Sequence, residues 1–118
     1  MNALRYLIVF ISIAVFTGCL ESSRAAPAEL AEKYGSKVVL YATSWCGYCE
    51  KTRKLFKQYN IQYLEYDIEN SIEGKREFDQ LGAKGIPLVL INGRVVEGYA
   101  PKAVLELLKE NKKLSYWK

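Results

Sequence analysis

The sequence predicts one small α/β domain with the element order β-α-β-α-β-β-α, in which helices flank a four-stranded mixed sheet. Two observations carry this prediction. Short apolar runs alternate with segments of helical periodicity, and an Asn-Gly pair marks a tight turn between two late strands. A chain of 118 residues can bury one modest core after a leader of about two dozen residues is set aside.

The first elements follow from an apolar run and the periodic segment after it. Val38–Ala42 is apolar and begins with two valines, which indicates a buried strand. The next segment, from Gly47 to Tyr59, has helical spacing of its inward residues, at Cys49, Thr52, Leu55, Phe56 and Tyr59. Before the strand, Ala28–Tyr34 carries apolar residues on one side and stops at Gly35, which predicts a short lead-in helix.

A second strand and a second helix are predicted next. Ile61–Ile68 is rich in Tyr and Ile, which favours a strand. Asn70 with Glu73 resembles a capping box that opens a helix ending at Gly82, with three residues expected to point inward: Ile72, Phe78 and Leu81. A strand, a helix and a strand in succession predict a parallel pair with a right-handed crossover.

The last part of the chain predicts a hairpin and a helix. Leu88–Ile91 and Arg94–Glu97 are separated by Asn92-Gly93, and this dipeptide supplies the two positive φ angles of a type I′ turn. Pro101 fits the first turn of a final helix, whose apolar residues are Val104, Leu105 and Leu108.

Composition argues against two classes of function. The net charge is +4, and it becomes +3 when the leader is removed, because 15 basic and 12 acidic residues remain. The basic residues are scattered, so no nucleic-acid-binding patch is expected. The chain contains no histidine, and one Cys-x-x-Cys pair leaves a structural zinc site two ligands short. We therefore expect no bound metal or other cofactor.

Residues 1–26 are predicted to form a leader and linker, and residues 27–118 the folded domain. Arg5 precedes the apolar run Tyr6–Phe16, and small and polar residues follow it. This is the layout of a secretory signal peptide, and its apolar core is short for a membrane span. The sequence therefore predicts export to the bacterial envelope.

Two processing patterns overlap in this leader. Phe16-Thr17-Gly18-Cys19 resembles the lipobox of bacterial lipoproteins, which makes Cys19 a candidate lipidation site. Ser23-Arg24-Ala25 offers the small-x-small pattern of ordinary signal-peptide cleavage. The protein is accordingly expected to be either a soluble periplasmic protein or a membrane-anchored lipoprotein.

The cysteine pair Cys46-Gly47-Tyr48-Cys49 lies at the start of the helix that follows the first predicted strand. The first amides of a helix lack internal partners and point the positive end of the dipole at the preceding residue, so a thiolate at Cys46 would be stabilised there. Cys49, one helical turn later, is placed to form a short reversible disulfide with Cys46. Thiol-disulfide exchange needs such a nucleophile and such a partner.

The chain resembles glutaredoxins of the thioredoxin superfamily. The segment Tyr41–Cys49, the later Gly85-Ile86-Pro87, and Ile91-Asn92-Gly93 followed by Gly98 carry this resemblance, which extends from about Lys37 to Asn111. The resemblance implies a thioredoxin-like fold of the glutaredoxin type. It also implies that Cys46 is the nucleophile, that Cys49 is the second catalytic cysteine, and that the Ile86-Pro87 bond is cis and lies beside the nucleophile.

By the same resemblance, seven residues are candidates for substrate binding: Trp45, Gly47, Tyr48, Ile86, Pro87, Gly98 and Tyr99. Three positions depart from the family pattern. Gly47 replaces the common proline, and Thr43 replaces a basic residue that grips the carboxylate of glutathione. The segment Gly98-Tyr99-Ala100-Pro101 replaces a glycine with acidic residues, and it is similar to glutaredoxin-like proteins that function as thioredoxins.

These features predict a monomeric thiol-disulfide oxidoreductase in envelope redox homeostasis. Its expected partners are disulfide-containing or glutathionylated proteins, with glutathione or a thioredoxin-reductase-like enzyme as electron donor. Two alternatives stay open. One is a cluster-binding protein, since small residues replace the active-site proline in glutaredoxins that hold an iron-sulfur cluster. The other is a non-catalytic envelope lipoprotein with a static disulfide, although so short a loop would stabilise the fold little.

Overall fold

The computed structural model describes residues 25–116, so the predicted leader, its cleavage patterns and Cys19 lie outside the described residues. Eight elements follow in chain order: helix α1 (Ala25–Tyr34), strand β1 (Val38–Ala42), helix α2 (Gly47–Gln58), strand β2 (Tyr63–Asp67), helix α3 (Ile72–Gln80), strand β3 (Leu88–Ile91), strand β4 (Arg94–Glu97) and helix α4 (Pro101–Tyr116). Within residues 25–116, none of these helices has the length and apolar character needed to cross a membrane.

The four strands form one mixed sheet, as predicted, and their order in it is β2-β1-β3-β4. Strand β1 runs parallel to β2 and antiparallel to β3, and β3 runs antiparallel to β4. All residues of β1 and β3 are buried, whereas β2 is an edge strand with partly exposed residues. The two fully buried strands, β1 and β3, therefore form the centre of the sheet.

Each face of the sheet has its own hydrophobic core, because alternate residues of a strand point to opposite faces. We call the first the cysteine-side core; its buried members are Val38, Leu40, Ala42, Cys46, Cys49, Leu55, Phe56, Val89, Ile91, Val96 and Val104. We call the second the tyrosine-side core; its buried members are Leu30, Tyr34, Val39, Tyr41, Phe78, Leu88 and Leu90. Helices α2 and α4 cover the cysteine side, and α1 and α3 cover the tyrosine side.

The hairpin and the final helix agree with the sequence prediction. Asn92 and Gly93 have φ angles of 48° and 78°, as a type I′ turn requires. Helix α4 begins at Pro101 and buries Val104. Helix α1 begins at Ala25, three residues earlier than predicted, so Ala25 and Ala26 belong to its first turn and not to the linker.

Two predictions for α3 are wrong. Ser71, and not Asn70, caps the helix, since its Oγ accepts a hydrogen bond from the Gly74 N–H at 3.0 Å. Ile72 is 90% exposed and does not point inward. The inward stripe starts at Gly74 and continues through Glu77 and Phe78, which is the spacing of one helical face, and Ile72 lies off that face.

Gly74 is required for the contact between α3 and the sheet. A Cβ atom added at this position would lie 2.5 Å from the Tyr66 Cβ and 3.2 Å from the Ser71 Oγ. Real Cβ atoms do not approach so closely, so only glycine allows α3 to pack this near to β2.

No local pattern of the sequence indicates that Glu77 is buried. Its carboxylate is 1% exposed and lies in the tyrosine-side core. It accepts hydrogen bonds from the Tyr34 hydroxyl at 2.9 Å and the Tyr41 hydroxyl at 2.7 Å, and it pairs with Lys33. Burial raises the pKa of Glu77, but the hydrogen bonds from Lys33, Tyr41 and Tyr34 outweigh burial and hold the pKa below its usual value. The buried carboxylate is therefore stabilised by two hydroxyl donors and one cation.

Candidate active site

Cys46 is the N-cap residue of α2, as the sequence predicts. Its backbone is extended, with φ −78° and ψ 115°, and its Sγ accepts a hydrogen bond from the Cys49 N–H at 3.2 Å. The first turn of α2 thus directs a backbone donor at the Cys46 sulfur. Cys46 is 8% exposed, and neither cysteine is part of a disulfide in this state.

Cys49 has a different environment from Cys46. It is fully buried in the cysteine-side core. Burial and the hydrogen bond with Cys46 raise the pKa of the Cys49 thiol to about 11, while the backbone of Thr43 and the charge of Arg53 act in the opposite direction. The two cysteines therefore differ in burial, and Cys46 is the more exposed of the two.

Thr43, where the glutaredoxin pattern has a basic residue, is 2% exposed. Its hydroxyl is buried without a hydrogen-bond partner. Its carbonyl oxygen accepts a hydrogen bond from the Arg53 Nη2 at 3.0 Å. This position accordingly offers no cation to a substrate.

Exposed aromatic side chains surround the entrance to the cysteine pair. Trp45 is 69% exposed, and its Nε1–H donates to the Glu69 carboxylate at 3.0 Å. Tyr48 is 60% exposed and stacks on Tyr99, with ring centroids 6.4 Å apart and an interplanar angle of 25°. The Lys51 Nζ lies 5.0 Å from the Tyr48 centroid and 6.0 Å from the Tyr99 centroid. Trp45, Tyr48 and Tyr99 thus form an aromatic rim, with Lys51 beside its two tyrosines and Glu69 beside its tryptophan.

The Ile86-Pro87 segment is brought to the same end of the sheet as the cysteines. Its peptide bond is cis, as the resemblance implies. Pro87 directly precedes β3, whose first residue, Leu88, pairs with Tyr41 near the end of β1. The Gly98 N–H donates to the Pro87 carbonyl at 2.7 Å, and Gly98 has a φ angle of +81°, which favours glycine. The structure therefore places Ile86, Pro87, Gly98 and Tyr99 at the cysteine end.

Gly47 is exposed, and an added Cβ atom would meet nothing within 4 Å. Its φ is not in the left-handed region. The turn between the cysteines therefore does not depend on glycine.

In the part of the chain that the structure describes, no three His, Cys, Asp or Glu side chains come together as metal ligands. A cavity of about 570 Å³ lies at the opposite end of the sheet, where β1 begins, and its apolar lining includes Val38, Ile61, Leu105 and Leu108. This cavity therefore lies away from the cysteine pair.

Sequence reasoning missed Arg53 and Glu69. Arg53 stands four residues after Cys49, a spacing that places both on one face of a helix, and this signal could have identified it. Glu69 lies 24 residues from Trp45, and no local pattern marks their contact.

Comparisons with known proteins agree with this geometry. Residues 38–96 match the glutaredoxin family. The chain is 23% identical over 74 residues to an uncharacterized glutaredoxin-like protein from the rubredoxin operon of Clostridium pasteurianum, covering 62% of this chain and 99% of that protein. It is 30% identical over 67 residues to mitochondrial glutaredoxin-2 of Mus musculus, covering 53% of this chain and 43% of that protein.

Among solved structures, a mutant of the thioredoxin-like protein BC3987 superposes with a TM-score of 0.59 at 27% identity, covering 62% of this chain and 95% of that one. The fold is thus thioredoxin-like, with the mixed sheet and flanking helices that the sequence predicts. On the family match, the fold and the cysteine pair at the head of α2, the chain belongs to the glutaredoxin family.

Proposed function

We propose that this protein is a thiol-disulfide oxidoreductase in which Cys46 is the nucleophile and Cys49 is the resolving cysteine. One observation carries the proposal: the Cys46 Sγ caps α2 and accepts the Cys49 N–H at 3.2 Å. A sulfur held at a helix N-terminus is stabilised as the thiolate, which is the nucleophilic form. The family match supports the same reaction class.

The reaction begins when the Cys46 thiolate attacks one sulfur of a substrate disulfide. A Cys46–substrate disulfide forms, and the other substrate sulfur leaves as a thiolate and takes up a proton. Cys49 then loses its proton and attacks Cys46, which releases the second substrate thiol and leaves a Cys46–Cys49 disulfide. Two electrons pass from the cysteine pair to the substrate, and glutathione or a thioredoxin-reductase-like enzyme restores both thiols.

The substrates proposed are protein disulfides and glutathione mixed disulfides. The exposed rim of Trp45, Tyr48 and Tyr99 supports contact with a polypeptide, since aromatic side chains dominate such contacts. Lys51, above the two tyrosines, is the cation at the rim that could meet a carboxylate of glutathione or of an acidic peptide. The buried Thr43 lacks the charge that family members use for glutathione, which favours protein substrates.

We further propose that the protein acts as a monomer in a bacterial envelope, either released into the periplasm or anchored through Cys19. The charged start, apolar run and small residues of the leader support export. Cell fractionation of the full-length protein beside a Cys19→Ala variant tests both routes. A lipoprotein would move from the membrane to the soluble fraction on substitution, and cytoplasmic retention of both forms would contradict export.

The catalytic proposal is tested by assaying three forms of the protein on insulin and on a glutathionylated peptide. Cys46→Ser is expected to abolish both activities, because serine is not ionised near neutral pH. Cys49→Ser is expected to abolish insulin reduction and to spare turnover of the glutathionylated peptide, since free glutathione can resolve that mixed disulfide.

Full activity of Cys46→Ser would overturn the assignment of the nucleophile. Inertness of the unsubstituted protein towards both substrates would favour a static disulfide. The freshly purified protein is expected to be colourless, and visible absorbance would instead indicate an iron-sulfur cluster.

A further inference from the structure

We propose that Arg53 is a positioning residue for the resolving step, holding the Thr43 turn against Cys49 and stabilising the Cys49 thiolate as it attacks the mixed disulfide on Cys46. This inference rests on the proposed function and assigns a separate residue to its second half.

The guanidinium of Arg53 is fixed by contacts to three parts of the fold. It lies one helical turn after Cys49, and its side chain is 22% exposed. The Nη2 donates to the Thr43 carbonyl at 3.0 Å and to the Glu65 Oε1 at 2.6 Å, and the Nε donates to the same Glu65 oxygen at 2.9 Å. The Nη1 lies 3.4 Å from the Glu50 Oε2. Arg53 thereby links α2, the turn after β1 and strand β2.

Cys49 needs such a group because its surroundings oppose ionisation. It is fully buried, and the other members of the cysteine-side core are apolar apart from Cys46. Tyr63 packs against this core as a further titratable side chain, and the chain has no histidine to accept the proton. Burial is the main cause of the raised pKa of Cys49, and Thr43 and Arg53 are the groups that counteract it.

The acidic partners of Arg53 determine whether loss of the arginine favours or disfavours the Cys49 thiolate. Glu50 and Glu65 face its guanidinium, so they reduce its net influence on Cys49 but do not approach the sulfur through any described hydrogen bond. Removing the arginine charge leaves both carboxylates without this partner. The local potential then becomes more negative, which disfavours the thiolate.

The chemistry of this step is balanced within the mixed disulfide. The Cys49 S–H bond breaks, the Cys49 sulfur bonds to the Cys46 sulfur, and the bond from Cys46 to the substrate sulfur breaks. The departing thiolate takes up the proton that Cys49 lost, through solvent. The substrate sulfur gains the electron pair of the broken bond, and the two cysteines are oxidised to the disulfide.

The expected size of the effect follows from two opposing trends. Loss of a neighbouring opposite charge that Glu50 and Glu65 already offset in part should raise the pKa of Cys49 by about one pH unit, the low end of such effects, and this lowers its thiolate fraction about tenfold at neutral pH. The remaining thiolate is more nucleophilic by about threefold, because reactivity rises with basicity with a slope of about 0.4–0.5, so the net slowing is about threefold.

The experiment follows the reaction of the reduced protein with a limiting amount of the aromatic disulfide dithiobis(nitrobenzoate) by stopped-flow absorbance. The first coloured thiolate released reports attack by Cys46, and its rate depends on concentration. The second reports attack by Cys49 on the mixed disulfide, and its rate does not. The two halves of the reaction are thus read separately in one trace.

In Arg53→Gln we expect the second phase to slow about threefold near pH 7, with its pH profile displaced upward by about one unit and the first phase unchanged. Arg53→Lys, which retains the charge, should restore most of the rate. Arg94→Gln is the matched control, because Arg94 lies on the hairpin and forms an exposed ion pair with Glu110 of α4. This substitution should leave both phases unchanged.

An unchanged second phase and pH profile in folded Arg53→Gln would overturn this inference and leave the proposed function standing. Equal slowing of both phases, or no rescue by lysine, would also overturn it, because either result would assign Arg53 a general structural role. Absence of the first phase in the unsubstituted protein would instead contradict the proposed function. Circular dichroism of each variant verifies that it is folded.

Discussion

The two faces of the sheet treat their buried ionisable groups in opposite ways. On the tyrosine side, Glu77 is 1% exposed and hydrogen-bonds to two tyrosine hydroxyls and to Lys33. On the cysteine side, Cys49 is buried in an apolar core with a raised pKa, and the neighbouring Thr43 hydroxyl has no hydrogen-bond partner. The pKa of Glu77 is therefore held below its usual value, whereas burial raises the pKa of Cys49.

Glu77→Ala should have the largest effect on stability, and it should change the tyrosine side of the sheet without changing the cysteine side. The change removes the acceptor of the Tyr34 and Tyr41 hydroxyls and leaves buried donors without a partner, so we expect a loss of about 2–4 kcal/mol in the free energy of unfolding. Urea denaturation measures this loss. Cys46 reactivity in the folded variant should not change.

Glu73→Ala is the matched control for that experiment, because Glu73 also pairs with Lys33 but is half-exposed. We expect it to cost less than about 1 kcal/mol, as exposed ion pairs do. Equal losses for the two variants would contradict the distinction between a fully paired buried carboxylate and a surface one.

The pH dependence of stability should show a smaller contribution from the same residue. The pKa of Glu77 is held below its usual value of 4.5, so its contribution is complete above that pH and is lost as the pH falls through the lower folded-state pKa. Between pH 7 and 3, the unfolding free energy of Glu77→Gln should therefore fall less than that of the unsubstituted protein. Parallel pH curves for the two would show that Glu77 is not the carboxylate concerned.

Ile72→Ser should have the smallest effect. The side chain is 90% exposed at the start of α3, so we expect the free energy of unfolding, measured in urea, to change by no more than about 0.5 kcal/mol. A loss of several kcal/mol would restore the interpretation that Ile72 faces the core. Phe78→Ser, on the buried face of the same helix, provides the contrast.

Local signals in the sequence predict the hairpin and the site of the cysteine pair. Asn92-Gly93 specifies its turn because both residues readily adopt positive φ angles. The position of Cys46 at a helix start follows from the apolar strand before it and the helical spacing after it. Such features depend on residues within a few positions of each other, and the structure confirms them.

Other features depend on contacts that are distant in the sequence. Glu77 meets Tyr41 across 36 residues and Lys33 across 44, and nothing in its own segment distinguishes it from a solvent-exposed glutamate. The error at Asn70 has another cause: Asn and Ser are about equally good N-caps, so adjacent candidates differ only in which side chain reaches the helix amides. Arg53 reaches Thr43 and Glu65 through the tertiary fold.

The absent side chain at Gly74 has a consequence for the acid three residues further on. Because a methyl group there would collide with Tyr66 at 2.5 Å, the glycine sets the spacing between helix and sheet. The Tyr41 hydroxyl donates to the Glu77 Oε2 at 2.7 Å. A wider gap between α3 and the sheet would lengthen this hydrogen bond and weaken it. The smallest residue of α3 thus governs how well its most deeply placed charge is solvated by protein.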